Sequence, residues 1–542
     1  MRIVERLNIL LSTRQTYITL GAVRSKAALS VRSILKRWVT LAQSHLPLRA
    51  RGVPSALISV GRLINTQRAL LSAGLLLSFS SLLLGIGISM SPDRGVAVLV
   101  GVIPVLPCLW VILRDKTDRL FLFRLFVVAL ALRWVVAFAI HDSNQQAFFG
   151  GDALTYDAFG NSLKQSWLGL VDGQAPWLTR YTRLGSSGWG MFYYVASVYY
   201  VIGQNSLAIQ LINAGLGAAL CIAAYKMAMM VYPNQRVARI AALFSAFSPS
   251  MILWSSQALK DAPIAICLVL CALYTLKLRH RFNTRSFLLL LVSMFCLFSL
   301  RHYAFYIVFA VIAGTFLIAR GKLTPLRVLQ GGLLVLVIGV AFVYIGAGTT
   351  AQQAFDLKHI QEFREWGARV TNTGFGGDVD ITDPQAAIGF LPIGAMYVLM
   401  APFPWMINNL RQLITLPELL AWWVMIPLLV KGYWFGVRHR LRESFAVLLF
   451  TVSLVCAYAL YQSNAGTAYR HRAQLYPFFF VLIGIGMQLR GREKKLKSEA
   501  ASPEDLSSRS MIPPSPVLTK SASESLYGKA TLDTAHARNQ ES

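Results

Sequence analysis

Long apolar runs alternate with short basic connections over most of this chain. Runs near 69–90, 95–113, 120–140, 206–230, 238–257, 262–277, 285–300, 303–319, 328–348, 418–436, 444–462 and 473–489 approach bilayer-crossing length, for which a helix needs about 17–25 residues. The pattern predicts an all-α polytopic membrane protein of about 12 transmembrane helices. Two further apolar stretches, 188–203 and 387–406, fit either spans or helices lying at the outer interface. The first is rich in Trp and Tyr, as interfaces are, and the second contains Pro402-Phe403-Pro404-Trp405, which cannot continue as a regular helix.

The basic connections set the orientation. Arg114-Asp115-Lys116 with Arg119, Lys226 with Arg236 and Arg239, and the basic stretches within 277–285, 320–327, 438–442 and 490–497 place those ends in the cytoplasm. The polar stretches 141–187 and 350–385, where acids outnumber bases, then lie outside, provided 188–203 and 387–406 begin and end there. The expected organisation is a basic amphipathic cytoplasmic segment at 1–68, an extra transmembrane hairpin at 69–113, a catalytic membrane domain at 114–490 and a disordered cytoplasmic tail at 491–542. Residues 1–68 lack the apolar core and cleavage site of a signal peptide. The localisation expected is the inner (plasma) membrane, multi-pass, with the site on the extracytoplasmic face.

Composition agrees. The chain is 55% hydrophobic and only 14% charged, against about 25% charged for soluble domains. A net charge of +28 invites a nucleic-acid partner, but its placement is the positive-inside pattern, so no nucleic acid is expected. All six cysteines fall inside apolar runs without metal-ligand spacing and read as small buried hydrophobes.

What remains is a set of charges at the predicted outer face. Asp152 and Asp157, with Tyr156 between them, follow Gly150-Gly151 in the first outer stretch. A carboxylate here can act as general base or hold a divalent cation; an N-cap role for Asp152 is an equal alternative. Lys260-Asp261 lies between two spans almost without a loop, where Asp261 could cap the next helix or join Asp152, leaving Lys260 for a phosphate. Arg301-His302 and Tyr469-Arg470-His471-Arg472 also open spans at the outer face, against the positive-inside bias. They suit either headgroup anchoring or a lipid-linked phosphate. Arg133 sits mid-span and needs a partner or a water-filled cavity. The charged stretch 350–385, with Gly374-Phe375-Gly376-Gly377, reads as a solvated loop or a mobile cover.

Three places carry a family resemblance: Asp152-x-x-x-Tyr156, the run from Leu211-Ile212-Asn213-Ala214-Gly215 through Phe247-Ser248-Pro249 to Lys260-Asp261, and Asn464 through Arg472. In their order and spacing the chain resembles, over roughly 120–490, the GT-C membrane glycosyltransferases, specifically the bacterial set related to dolichyl-phosphate-mannose protein mannosyltransferases and aminoarabinose lipid A transferases. The resemblance implies a GT-C-like bundle with outer juxtamembrane helices. It also implies transfer of sugar from a polyprenyl-phosphate donor to a glycan, lipid or protein acceptor outside the membrane. By analogy Asp152 would be the general base and Asp261 a second acid beside it. Lys260, Arg301 and Arg470, with His302, Arg472, Tyr156 and Asp157, make up the expected substrate-binding set. Many relatives carry an acidic-basic pair and prolines before the stretch matching 188–203; here the sequence reads Gly185-Ser186-Ser187-Gly188-Trp189-Gly190, which argues against a metal site at that point. No metal ligand is assigned, and a divalent cation stays open as a cofactor. The alternatives are a polymerase or ligase of lipid-linked glycans and a lipid or solute transporter. A transporter is disfavoured by charge gathered at one edge and by the lack of an internal repeat.

Overall fold

The computed structural model describes residues 91–500, apart from 150, 187, 319–335, 337–338, 341, 344–346, 372 and 408–409. The predicted span 69–90 and the basic segment 1–68 lie outside the described residues, as do most of 328–348 and all of 501–542. The described residues are helical, joined by turns and one isolated β-bridge, Gly374 to Asn464.

Six described helices are long and apolar enough to cross a membrane, or seven if one bent pair counts as a single span. The first, 92–113, comprises α1 (Pro92–Gly101) and α2 (Val105–Leu113); it is followed by α3 (Arg119–Asp142). After a single turn at Gln146–Phe149 come three shorter helices outside this group: α4 (Asp152–Trp167), α5 (Pro176–Thr182) and α6 (Trp189–Ile202). The bundle then runs through α7 (Ser206–Val231), α8 (Gln235–Phe247), α9 (Pro249–Ser255), α10 (Asp261–His280), α11 (Thr284–Leu300) and α12 (His302–Ile318). Next come α13 (Ala347–Phe355), α14 (Leu357–Arg369), α15 (Pro384–Met400), α16 (Leu416–His439), α17 (Leu441–Tyr461) and α18 (Ala465–Ala500). The predicted spans 285–300 and 303–319 are the shorter apolar helices α11 and α12, and 473–489 is the middle of α18. The two ambiguous stretches form α6 and α15, of 14 and 17 residues. Helix α18 runs unbroken to Ala500, past the boundary expected at 491.

Helix α7 is the hub, packed against α1, α3, α8 and α10 and 94% buried over its apolar window. Small residues allow this: a Cβ on Gly217 would stand 2.3 Å from Cβ of Ser255. Close backbone approach of this kind drives helix association where lipid removes the hydrophobic gain.

The bent pair explains Arg133. Pro249 has no N–H, so α8 and α9 meet at 55° and the Ser245 carbonyl loses its helical partner. The N–H of Ser250 is also diverted, to Glu418 at 2.9 Å, which frees the Ala246 carbonyl. Arg133, fully buried on α3, donates to both carbonyls at 3.1 and 2.9 Å and to Oγ of Ser255 at 3.0 Å. A buried guanidinium and two orphaned carbonyls satisfy one another.

The charged stretch after α13 is pinned down. Arg364 is fully buried, donates to the Gly376 carbonyl at 2.7 Å and lies over the Phe390 ring. Phe375 stacks on Tyr397, and its N–H donates to the Ser463 carbonyl at 2.8 Å. Ala465 N–H returns a bond to Thr373. The expected solvated loop or mobile cover is thus tied to the segment that opens α18.

Candidate active site

Four chain segments converge at one end of the bundle: the start of α4, the α9–α10 turn, the α11–α12 junction and the first turns of α18. Arg470 joins them. Its Nη1 lies 2.8 Å from a carboxylate oxygen of Asp152, while its Nε and Nη2 lie 2.7 and 2.5 Å from Oδ2 of Asp261. The two carboxylates differ in access: the Asp152 side chain is 56% exposed and that of Asp261 3%. The other Asp261 oxygen accepts from Nε2 of Gln474 at 2.6 Å, and Gln474 in turn accepts from Arg301 at 2.8 Å and Tyr458 at 2.9 Å. The buried acid is thus held at both oxygens, whereas the open acid is held at one and keeps the other free of the cluster.

The capping alternative is overturned for both acids. Helix α4 begins at Asp152 with Gly151 as its cap, α10 begins at Asp261 with Lys260, and neither terminus has a side-chain cap. The α9–α10 turn is instead held by Asn213, whose Nδ2 donates to the carbonyls of Gln257 and Leu259, both at 2.8 Å.

Lys260 makes no hydrogen bond or ion pair among the described residues. It stands in the turn between spanning helices, beneath Gly188. That glycine has φ of +76°, where the backbone favours glycine, and a Cβ there would press on Lys260 Nζ at 3.0 Å. Burial first, then nearby Arg301 and Arg470, push the Lys260 ammonium down to about 8. Tyr156, one turn after Asp152, is buried against Phe192. Burial and the Asp152 charge hold its hydroxyl above the usual phenol range, so it stays protonated.

Three expected site residues are placed elsewhere or at the margin. Asp157 turns onto α6, accepting from Tyr199 and, at 2.9 Å, from Gln204. Arg472 is fully buried on the opposite face of α18, donating to the carbonyls of Leu399 and Ala401 at 2.8 and 2.9 Å. His302 is half-buried at the start of α12, with Lys260 and His359 as its charged neighbours. Gln474, Tyr458 and Glu418 belong to the arrangement and were not anticipated. Glu418 accepts from the hydroxyls of Ser248, Ser250 and Tyr469, so the Ser-Pro motif serves as its cradle. No group of three metal-ligating side chains occurs among the described residues. Beside Arg470 lies a cavity of about 210 Å³ whose lining includes Trp254, Thr373, Thr415, Asn464 and Thr467.

Fold and site together define a polytopic all-α membrane protein with an acid–base cluster at one end of its bundle. Residues 188–345 match the family model for dolichyl-phosphate-mannose-protein mannosyltransferase, one of the two groups that the motifs resemble. The matched stretch contains Lys260, Asp261, Arg301 and His302 but neither Asp152 nor Arg470. No curated protein sequence matches the chain. Among solved structures, ArnT from Cupriavidus metallidurans bound to undecaprenyl phosphate is similar at 16% identity and a TM-score of 0.45, over 71% of this chain and 63% of that one. The archaeal oligosaccharyltransferase AglB from Archaeoglobus fulgidus, in complex with an inhibitory peptide and a dolichol-phosphate, is similar at 12% identity and a TM-score of 0.43, over 78% of this chain and 55% of that one. The chain therefore spans less than two thirds of the length of either.

Proposed function

We propose that the protein is an integral membrane glycosyltransferase that moves a sugar from a polyprenyl-phosphate donor to an acceptor nucleophile at the Asp152 end of the bundle, taken as the extracytoplasmic face. The observation that carries this reading is the Asp152–Arg470–Asp261 bridge, one open and one sealed carboxylate on a single guanidinium, beside the unpaired cation of Lys260.

The chemistry follows from that asymmetry. Asp152 takes the proton from an acceptor hydroxyl or amine as its oxygen or nitrogen attacks the anomeric carbon. The bond from that carbon to the phosphate oxygen breaks, and polyprenyl phosphate leaves with the electron pair. Arg470 holds Asp152 aimed, and Asp261 with Gln474 fixes Arg470. Because the guanidinium fork of Arg470 is spent on carboxylates, Lys260 is the group best placed for the leaving phosphate, with Arg301 behind it. The neighbouring cavity, with an indole face, hydroxyls and an amide, has the lining a sugar ring requires. The acceptor class, glycan, lipid or protein, is left open by this geometry.

The test is release of polyprenyl phosphate from a panel of polyprenyl-phosphate sugars by purified wild type and Asp152→Asn. Release by wild type and loss of at least about 10²-fold in the variant supports the assignment. No release from any donor by well-folded wild type would remove the transferase reading. Undiminished release by the variant would remove Asp152 as base.

A further inference from the structure

At the far end of α3, one helix length of about 36 Å from the site end, a cleft of about 490 Å³ opens between α3 and α8. Two helical rows form its walls. Along α3, Arg124 and Val128 follow at i and i+4; along α8, Arg239, Leu243 and Phe247 do the same, and Arg119 stands at the mouth. Both helices start at this end, so cations lie at the entrance and apolar side chains deeper in. Val128, Leu243 and Phe247 are 49, 38 and 43% exposed, so the fold leaves the apolar stripe uncovered among the described residues.

The charges at the mouth do not cancel. Asp118 also lines the cleft, but its carboxylate is taken by Arg239, with Nε at 2.9 Å, and by the Tyr225 hydroxyl at 2.7 Å. Arg119 and Arg124 form no ion pair among the described residues. Arg124 lies five residues into an apolar helix, about 7.5 Å beyond its start, where an unpaired guanidinium must either snorkel or meet an anion.

From this ordering of charge and apolar surface we infer that the cleft binds one anionic phospholipid of the adjoining leaflet. Its phosphate sits between Arg119 and Arg124, and an acyl chain lies along Val128, Leu243 and Phe247. The order of contacts, phosphate then hydrocarbon, is that of a phospholipid entering from the bilayer surface. An ammonium-bearing headgroup finds no free carboxylate in the lining, since the charge of Asp118 is spent. The site is separate from the transferase reading and does not depend on it.

The test is native mass spectrometry on the full-length protein in detergent, titrated with phosphatidylglycerol or phosphatidylcholine. Wild type is expected to retain one phosphatidylglycerol with about tenfold preference, and Arg119→Gln/Arg124→Gln to lose that preference. Arg281→Gln/Arg285→Gln, which removes two exposed cations at the same end of the bundle, is expected to keep it. A second variant, Val128→Glu, sets a carboxylate four residues after Arg124, where it competes with the phosphate for that cation and opposes the acyl chain, and should also lose the lipid. Equal loss in the Arg281/Arg285 control would reduce the effect to diffuse surface charge and overturn the site. So would displacement by glycerol phosphate as effective as by the lipid, or wild type without preference.

Discussion

Arg470 is the residue on which the cluster turns, and its geometry explains which neighbours were legible. In a helix successive side chains are about 100° apart. Gln474, four residues on, shares the face of Arg470, whereas Arg472 is about 160° away and packs against the carbonyls of Leu399 and Ala401. The same arithmetic puts Tyr156 on the face of Asp152 and Asp157 about 140° from it, against α6. The charges themselves stood out because each is costly at a membrane edge; the phase along each helix was the unused signal. Arg470→Lys should lower turnover about a hundredfold with little change in fold, because an ammonium cannot bridge two carboxylates in fixed planar geometry. Turnover within a few-fold of wild type would show that one point charge suffices there.

Lys260 gives a pH signature with two opposite arms. Its pKa of about 8 lies below the ordinary 10.5, so the charge that would hold a leaving phosphate is present below about pH 8 and lost above it. Apparent donor affinity should therefore fall as pH rises through that value. For stability the sign is reversed. Between about 8 and 10.5 the unfolded chain binds more protons than the folded one, so this group makes the fold more stable as pH rises across that window. Lys260→Met should flatten the donor-affinity profile. A profile unchanged in the variant would move the phosphate to another cation.

At the scale of elements, the break between α8 and α9 was readable from Ser248-Pro249, but its partners were not. Arg133 is 112 residues from Ser245 in the chain, and Glu418 is 168 from Ser250. No local pattern connects them; only the packing of α3 and α16 against the break does. Arg133→Leu should lower stability by about 2 kcal/mol or more, since two buried carbonyls lose their donors at about 1–3 kcal/mol each. Adding Pro249→Ala should return part of that loss, because it supplies an N–H for the Ser245 carbonyl once Ser248 turns from its extended to a helical conformation, while Ala246 stays unpaired through the Ser250–Glu418 bond. Thermal unfolding of single and double variants in detergent reads this directly. A double variant no more stable than Arg133→Leu alone would show that the carbonyls were not the cause.

At the scale of the whole molecule, the sequence-level map of apolar runs recovered the six or seven described spans because membrane burial forces continuous apolar length. It failed where protein rather than lipid sets the environment: 350–385 looked like a solvated cover because its fixing contacts, Arg364 to Gly376 and Phe375 to Ser463, join distant or backbone partners. The same map assigns faces. Asp152, Asp261, Arg301 and Arg470 gather at one end, while Arg119, Arg239, Arg281 and Arg285 sit at the helix ends opposite, and on the positive-inside bias we propose that the first end is extracytoplasmic. Leu154→Cys, 49% exposed beside Asp152, should then react in intact cells with a membrane-impermeant thiol reagent. Arg285→Cys, exposed at the start of α11, should react only after the cells are opened. The six native cysteines lie in apolar segments, three of them buried and three half-buried, so wild type supplies the background. Labelling in the reverse order would place the acid–base cluster in the cytoplasm. A lipid-linked donor would then have to be used on the side where it is made, and extracytoplasmic transfer would fall while the arrangement of Asp152, Arg470 and Asp261 remained.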